Sequence, residues 1–151
     1  MNIIFLDVDG VLNSIKKLKE MYYKNKRPYS GFDYPFDEEC LNNLKRLVLE
    51  TNAYLVITST WRKFENGKDI LLRKLKDYDL DKRVIGYTDV LNKSRGDEIK
   101  EYLKTLDNSI NFIILDDDTD FLGLENHLIK TNYEVGLTKE NTDDGIKKLI
   151  K

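Results

Sequence analysis

The sequence predicts an α/β fold, a mostly parallel central sheet with helices on both faces. Three observations carry that expectation. Short apolar runs at Ile3–Leu6, Ala53–Ile57 and Asn111–Leu115 are bounded by turn-forming or polar residues, as buried strands are. Segments of helical period lie between them, and strands that alternate with helices assemble into parallel sheets with covered faces. Each run also ends in polar residues, and ligands of open α/β sheets bind at the carboxyl ends of the strands.

Taken in order, the first strand delivers Asp7 and Asp9, and Gly10 lets the chain turn sharply after them. Residues 14–35 fit no regular period; they hold both prolines, Pro28 and Pro35, and six basic residues. An irregular stretch of that length inside a compact domain is usually a lid or binding loop, so a flap is expected here. Asp37 suits a helix N-cap, with Glu38 and Glu39 in the favourable first turn and Leu41, Leu44, Leu47 and Val48 on one face. The second strand ends in Thr58-Ser59-Thr60-Trp61-Arg62. A helix over about 69–78, a short strand around 84–87 and a loop through Asn92 follow. Lys93-Ser94-Arg95-Gly96 leads into a helix over about 97–106. The strand Asn111–Leu115 runs into Asp116-Asp117-Asp118, a short strand is expected around 127–131, and a last helix begins near Thr142.

A chain of 151 residues is most simply one domain, here 1–151, and buries about 70% of its unfolded surface. Its formal charge of −2 supplies no overall pull toward nucleic acid or membrane, so attraction to a polyanion needs a local patch. One cysteine, Cys40, excludes an internal disulfide and fits a reducing compartment. No basic region precedes the first apolar run, and no stretch approaches the roughly 20 apolar residues of a membrane helix. A cytoplasmic protein with no membrane association and no obligate protein partner is expected.

Two acid-tipped strand ends, separated by most of the chain, are hard to explain except by a shared cation. Mg²⁺ binds through one or two carboxylates together with substrate phosphate, and Asp7, Asp9 and the cluster Asp116-Asp117-Asp118 can offer the oxygens. One histidine and one cysteine make a zinc or iron site improbable and exclude most nucleophile–base pairs built on His. In an enzyme, nucleophile and acid/base would then both be carboxylates, as in catalysis through an aspartyl-phosphate. A phosphoryl group also needs donors. Thr58, Ser59 and Thr60 can supply one and a cation before a helix, Lys93 or Arg95, another. Arg62 either clamps a substrate phosphate or pairs with a surface acid. Asp118 and Asp120 read as an N-cap and a solvated acid and His127 as a strand residue, while Trp61 packs on the sheet edge or, as the alternative, stacks on a base.

The ordered set of an apolar strand with D-x-D-G, an apolar strand with Thr/Ser, Lys before a helix, and an apolar strand with Asp-Asp resembles the haloacid dehalogenase (HAD) superfamily over essentially the whole chain. The wording FLDVDGVLN, VITSTWR, RGDEIKEYL and ILDDDTDF is similar to a small HAD group found as stand-alone phosphatase-like proteins and within RNA-repair proteins. The resemblance implies a Rossmann-like three-layer sandwich with a small or absent cap. It also implies a phosphatase in which Asp7 is the nucleophile and Asp9 the general acid/base. Mg²⁺ would be held by the Asp7 carboxylate, the Asp9 carbonyl and Asp117, with Asp116 on a metal-bound water. Thr58 matches the phosphate-binding Thr/Ser, with Ser59 and Thr60 as alternatives because related polynucleotide phosphatases have Ser-x-Arg where Thr60-Trp61-Arg62 stands. Lys93 matches the family lysine, with Arg95 its rival. Val11 departs from the Thr of many members.

In segment 14–35, Lys16, Lys17, Lys19, Lys24, Lys26 and Arg27 are interleaved with Tyr22, Tyr23, Tyr29, Phe32 and Tyr34. Cations for phosphates and aromatic faces for bases are how single-stranded nucleic acids are gripped. The alternative is a solvated flap whose aromatics cover the domain. An open site would admit a nucleotide or a phosphorylated nucleic-acid end. A non-catalytic phospho-ligand binder is the competing class; a receiver domain is disfavoured, because its acceptor Asp would stand where Thr58 does.

Overall fold

Five strands form one sheet in the order β3-β2-β1-β4-β5, with every pairing parallel. The computed structural model describes residues 1–107 and 109–150; Asn108 and Lys151, within the expected domain, lie outside the described residues. The strands are β1 (Asn2–Leu6), β2 (Tyr54–Ile57), β3 (Val84–Tyr87), β4 (Asn111–Asp116) and β5 (Leu128–Lys130). The helices are α1 (Ile15–Asn25), α2 (Glu38–Thr51), α3 (Glu65–Lys76), α4 (Arg95–Leu103) and α5 (Lys139–Leu149).

Both faces of the sheet are covered, which is why the interior positions of its central strands, 3–6, 55–57 and 112–115, are all apolar. Along β1, Ile4 and Leu6 join Leu44, Leu47, Leu71 and Leu149 in the larger core cluster, beneath α2, α3 and α5. Ile3 and Phe5 point the other way, to Ile99 of α4 and to Phe121 in the segment after β4. Phe5 meets Tyr102 and Phe112 edge to face there.

Local side-chain chemistry moved several boundaries from those expected. Ser94, not a later residue, caps α4: its Oγ accepts from Asp97 N at 3.1 Å, so the helix starts at Arg95. Thr138 and Asn141 form a reciprocal capping box that starts α5 at Lys139. A 3-10 turn over Thr60–Lys63 feeds α3, which starts at Glu65; a Cβ on Gly67 would stand 2.5 Å from the Trp61 carbonyl oxygen, so only glycine fits that approach. Asp118 caps no helix. It accepts from Thr119 N, while Asp116 Oδ1 accepts from Asp118 N at 2.9 Å.

The larger correction concerns residues 14–35. They are not an irregular flap but carry a three-turn helix, α1, followed by a short 3-10 turn over Gly31–Asp33. Ser14 caps α1 by accepting from Lys17 N at 3.1 Å, and Lys26 closes it in a left-handed conformation. Its Lys, Leu, Glu and Met residues have high helix propensity. No residue of α1 is fully buried; its inward stripe, Ile15, Leu18 and Met21, is short and only half-buried, and is obscured by the interleaved lysines and tyrosines. No helix among the described residues is long and apolar enough to cross a membrane.

Candidate active site

Parallel pairing brings the carboxyl ends of all five strands to one edge. Backbone bonds continue the ladder past the strands: Asp7 N donates to Leu115 O (3.1 Å), Thr58 N to Leu6 O (3.0 Å) and Thr131 N to Asp116 O (2.9 Å). Asp7 therefore lies between the tip of β2 and the tip of β4. The two acid-bearing tips converge: Asp7, Asp116 and Asp117 each place a carboxylate oxygen within 4.8 Å of the others. Asp7 and Asp116 are buried, and Asp117 is half-buried. A cleft of about 420 Å³ opens over them, lined also by Asp9, Thr60, Lys93, Arg95 and Tyr133.

Gly10 makes this approach possible. Its φ is +80°, and a Cβ would stand 2.5 Å from Asp117 Oδ2. Gly10→Ala is therefore expected to cost about 1–2 kcal/mol from the left-handed backbone alone and to push Asp117 out of the cluster. Thermal denaturation reads the first effect, and weaker divalent-cation binding by titration calorimetry reads the second.

The Asp9 side chain stands apart from the cluster and is held from two sides. Asn13 Nδ2 donates to Oδ1 at 2.7 Å, and the Trp61 indole N–H reaches both carboxylate oxygens at 3.3 Å. Asn13 is fixed in turn by accepting from Gly10 N at 2.9 Å. Trp61 is buried against Phe32 and Phe36, so the 14–35 insert helps to set the Asp9 carboxylate. Sequence reasoning placed Trp61 in packing and missed its bond to Asp9. A partner 52 positions away leaves no local signal.

Of the two candidate cations, Arg95 reaches the acids. One guanidinium nitrogen lies 2.7 Å from Asp116 and 3.2 Å from Asp7. Lys93 is exposed and lines the same cleft, but forms no ion pair among the described residues, so of the two it is Arg95 that touches the acids. Of the two roles left open for Arg62, the structure shows the pairing with an acid, a buried one (Glu98) rather than a surface one. Arg62 is buried, and all five of its N–H donors are engaged: Nε on Thr88 O, Nη1 on Thr58 O and Ser59 O, Nη2 on Asp89 O and Glu98 Oε1. It has no donor left for a substrate phosphate. Instead it ties the tips of β2 and β3 to α4, and Glu98 holds Leu91 N with its other oxygen. The three hydroxyls part ways. Ser59 Oγ accepts from Trp61 N, Thr60 is exposed on the cleft wall, and Thr58 is fully buried with an Oγ1 that has no hydrogen-bond partner. A buried hydroxyl without a partner is uncommon, and an ordered water or an incoming group would satisfy it.

Charge in the cluster is out of balance: three carboxylates face one guanidinium. Burial, reinforced by Asp116 and opposed by Arg95, pushes the Asp7 carboxyl up to about 8. Burial and Asp116 likewise push Asp117 up to about 6. The ordinary Asp value in the unfolded chain is 3.8. Between these values the folded, metal-free chain keeps protons that the unfolded chain has lost, so its stability falls as pH rises from about 4 to 8. The expected result is a lower melting temperature at pH 8 than at pH 5 in chelator, with added Mg²⁺ raising it more at pH 8. A melting temperature that climbs over that range in chelator would contradict the charge deficit. An all-oxygen donor set of this kind fits a hard divalent cation rather than zinc or copper.

This arrangement of sheet and strand-tip acids is the fold of the HAD-like hydrolases. The structure of a haloacid dehalogenase-like family hydrolase from Streptococcus pneumoniae superposes on it with a TM-score of 0.52 and 13% identity, covering 95% of this chain and 90% of that one. Residues 3–142 match the family described as the HAD domain in Swiss Army Knife RNA repair proteins, and the chain belongs to that family. HAD proteins generally use a divalent metal, with which the acid cluster is compatible. Among curated proteins, none shows significant sequence similarity to the chain.

Proposed function

We propose that the protein is a Mg²⁺-dependent phosphomonoesterase working through an aspartyl-phosphate on Asp7, with a nucleotide or a nucleic-acid terminal phosphate as substrate. The observation that carries this reading is the meeting of Asp7, Asp116, Asp117 and Arg95 at the sheet edge, with a separately held Asp9 lining the same cleft. A divalent cation held by Asp7 and Asp117, with the Asp9 carbonyl and Asp116 in support, would offset the negative charge of the phosphate oxygens. An Asp7 carboxylate oxygen attacks phosphorus, and the P–O bond to the leaving group breaks. Asp9 gives its proton to that oxygen. Asp9, now a base, takes a proton from water as the water attacks phosphorus, which releases inorganic phosphate and restores Asp7. Arg95 neutralises charge on the transferring group, and the buried, unpartnered Thr58 hydroxyl is the hydrogen-bond donor proposed for it. Arg62 holds α4, whose first residue is Arg95, through Glu98 and is a positioning residue. The family's place in RNA repair proteins supports a nucleic-acid end as substrate.

A second reading, a phospho-ligand binder without turnover, predicts phosphate binding alone. Incubation with an aryl phosphate, with and without chelator, separates the two. The enzyme releases phosphate only with the divalent ion present, whereas no release in either condition over hours would leave the binder.

A further inference from the structure

We infer that the outer face of α1 is a binding platform for single-stranded nucleic acid, placed to hold the strand whose terminal phosphate enters the cleft. Three observations carry it. Charge is the first. Segment 14–35 contains six of the chain's 25 basic residues but only two of its 27 acidic ones, so a positive surface is mounted on an otherwise acidic protein. Lys17 and Arg27 are paired with Glu38 and Asp33, but Lys16, Lys19, Lys24 and Lys26 are exposed and form no ion pair among the described residues.

Exposed aromatic surface is the second. Tyr34 is half-buried against Tyr133 and Phe32 against Trp61, as covering aromatics are, but the two tyrosines of α1 are not. Tyr22 is 48% exposed and Tyr23 65%, and no residue of α1 is fully buried. Tyr22, Tyr23, Leu18, Pro28 and Tyr29 line a shallow, largely apolar groove of about 200 Å³, room for a planar ring between cations. Aromatic faces beside lysines suit a chain of stacked bases and phosphates.

Position is the third. Both ends of the segment are pinned to residues around the cleft. Ile15 N and Lys16 N donate to Tyr133 O and Glu134 O, and Tyr34 meets the Tyr133 ring edge to face; Tyr133 lines the cleft. At the other end Phe32 packs on Trp61, which holds Asp9. The platform thus starts at the cleft rim. Tyr22 and Tyr23 lie about two helical turns, ~11 Å along α1, from that rim.

The inference rests on the phosphatase reading for the fate of the strand's end, but its test does not. Fluorescence anisotropy with a labelled single-stranded oligonucleotide ending in hydroxyls, in chelator, reads the platform without turnover. Tyr22→Ala and Tyr23→Ala are each expected to weaken binding by roughly 5- to 150-fold, and Phe at the same positions to retain it. The double change Lys19→Glu, Lys24→Glu is expected to flatten the salt dependence of log K by about 1.4. All of these variants should hydrolyse a small aryl phosphate at the unaltered rate, which also shows that they fold. Equal binding by wild type and the tyrosine variants would overturn the inference, as would binding to anionic vesicles but not to the oligonucleotide. Oligonucleotide binding without any phosphate release would instead overturn the phosphatase reading and leave the platform standing.

Discussion

Asp7→Asn is expected to lower the turnover of an aryl phosphate by at least about a thousandfold, because it removes the attacking oxygen rather than a supporting contact. The change should leave the fold intact. Asp7 is buried beside Asp116, and burial already pushes its carboxyl up to about 8. An amide of the same shape carries no charge to desolvate and does not repel Asp116. In chelator at pH 8 the variant should therefore melt no lower than wild type. The combination is diagnostic. Lost turnover with retained or increased stability assigns Asp7 to chemistry, whereas unchanged turnover removes it as nucleophile. Asp9→Asn should also lose turnover, but through the step that protonates the leaving group. A substrate whose leaving group needs no proton, such as a dinitrophenyl phosphate, should be spared at the first step.

Arg62→Ala is expected to cost about 3–5 kcal/mol, the range for breaking a buried ion pair from one side. The loss is large because Glu98 is left buried without its counter-charge and the carbonyls of Thr58, Thr88 and Asp89, at the tips of β2 and β3, lose the guanidinium donors. That is a substantial fraction of the whole stability of a domain this size. Arg62→Lys should rescue little, since an ammonium has three donors against the five in use and no planar fork. Urea denaturation gives the stability. If Arg62 instead bound substrate phosphate, Arg62→Lys would fold as well as wild type and show a raised KM.

The fold was legible because each central strand is apolar on both faces and ends in polar residues, so periodicity and turn chemistry agreed. Residues 84–87 came out as expected even though β3 lies at the sheet edge. Helix starts were missed where the cap was a Ser or Thr rather than the first apolar residue, at Ser94 and Thr138. The helix in 14–35 was invisible for a different reason. Its inward stripe, Ile15, Leu18 and Met21, is short and only half-buried, a weak signal among interleaved lysines and ahead of two prolines. At the site, Asp7, Asp9, Asp116 and Asp117 could be read from their places at strand ends. The choice of Arg95 over Lys93 turns on which way the start of α4 faces, and Trp61's bond to Asp9 on a contact between distant segments. Arg62 was visible as important but not as a brace, because its partners are mostly backbone carbonyls, which no residue pattern reveals.

The most direct measurement is to stop the reaction with acid during turnover of a phosphorylated substrate in Mg²⁺ and map the phosphoryl group by peptide mass spectrometry. The account predicts an acid-stable, hydroxylamine-labile phosphoryl group on Asp7, absent in chelator and absent in Asp7→Asn. Full turnover with the phosphoryl group on another residue would contradict it.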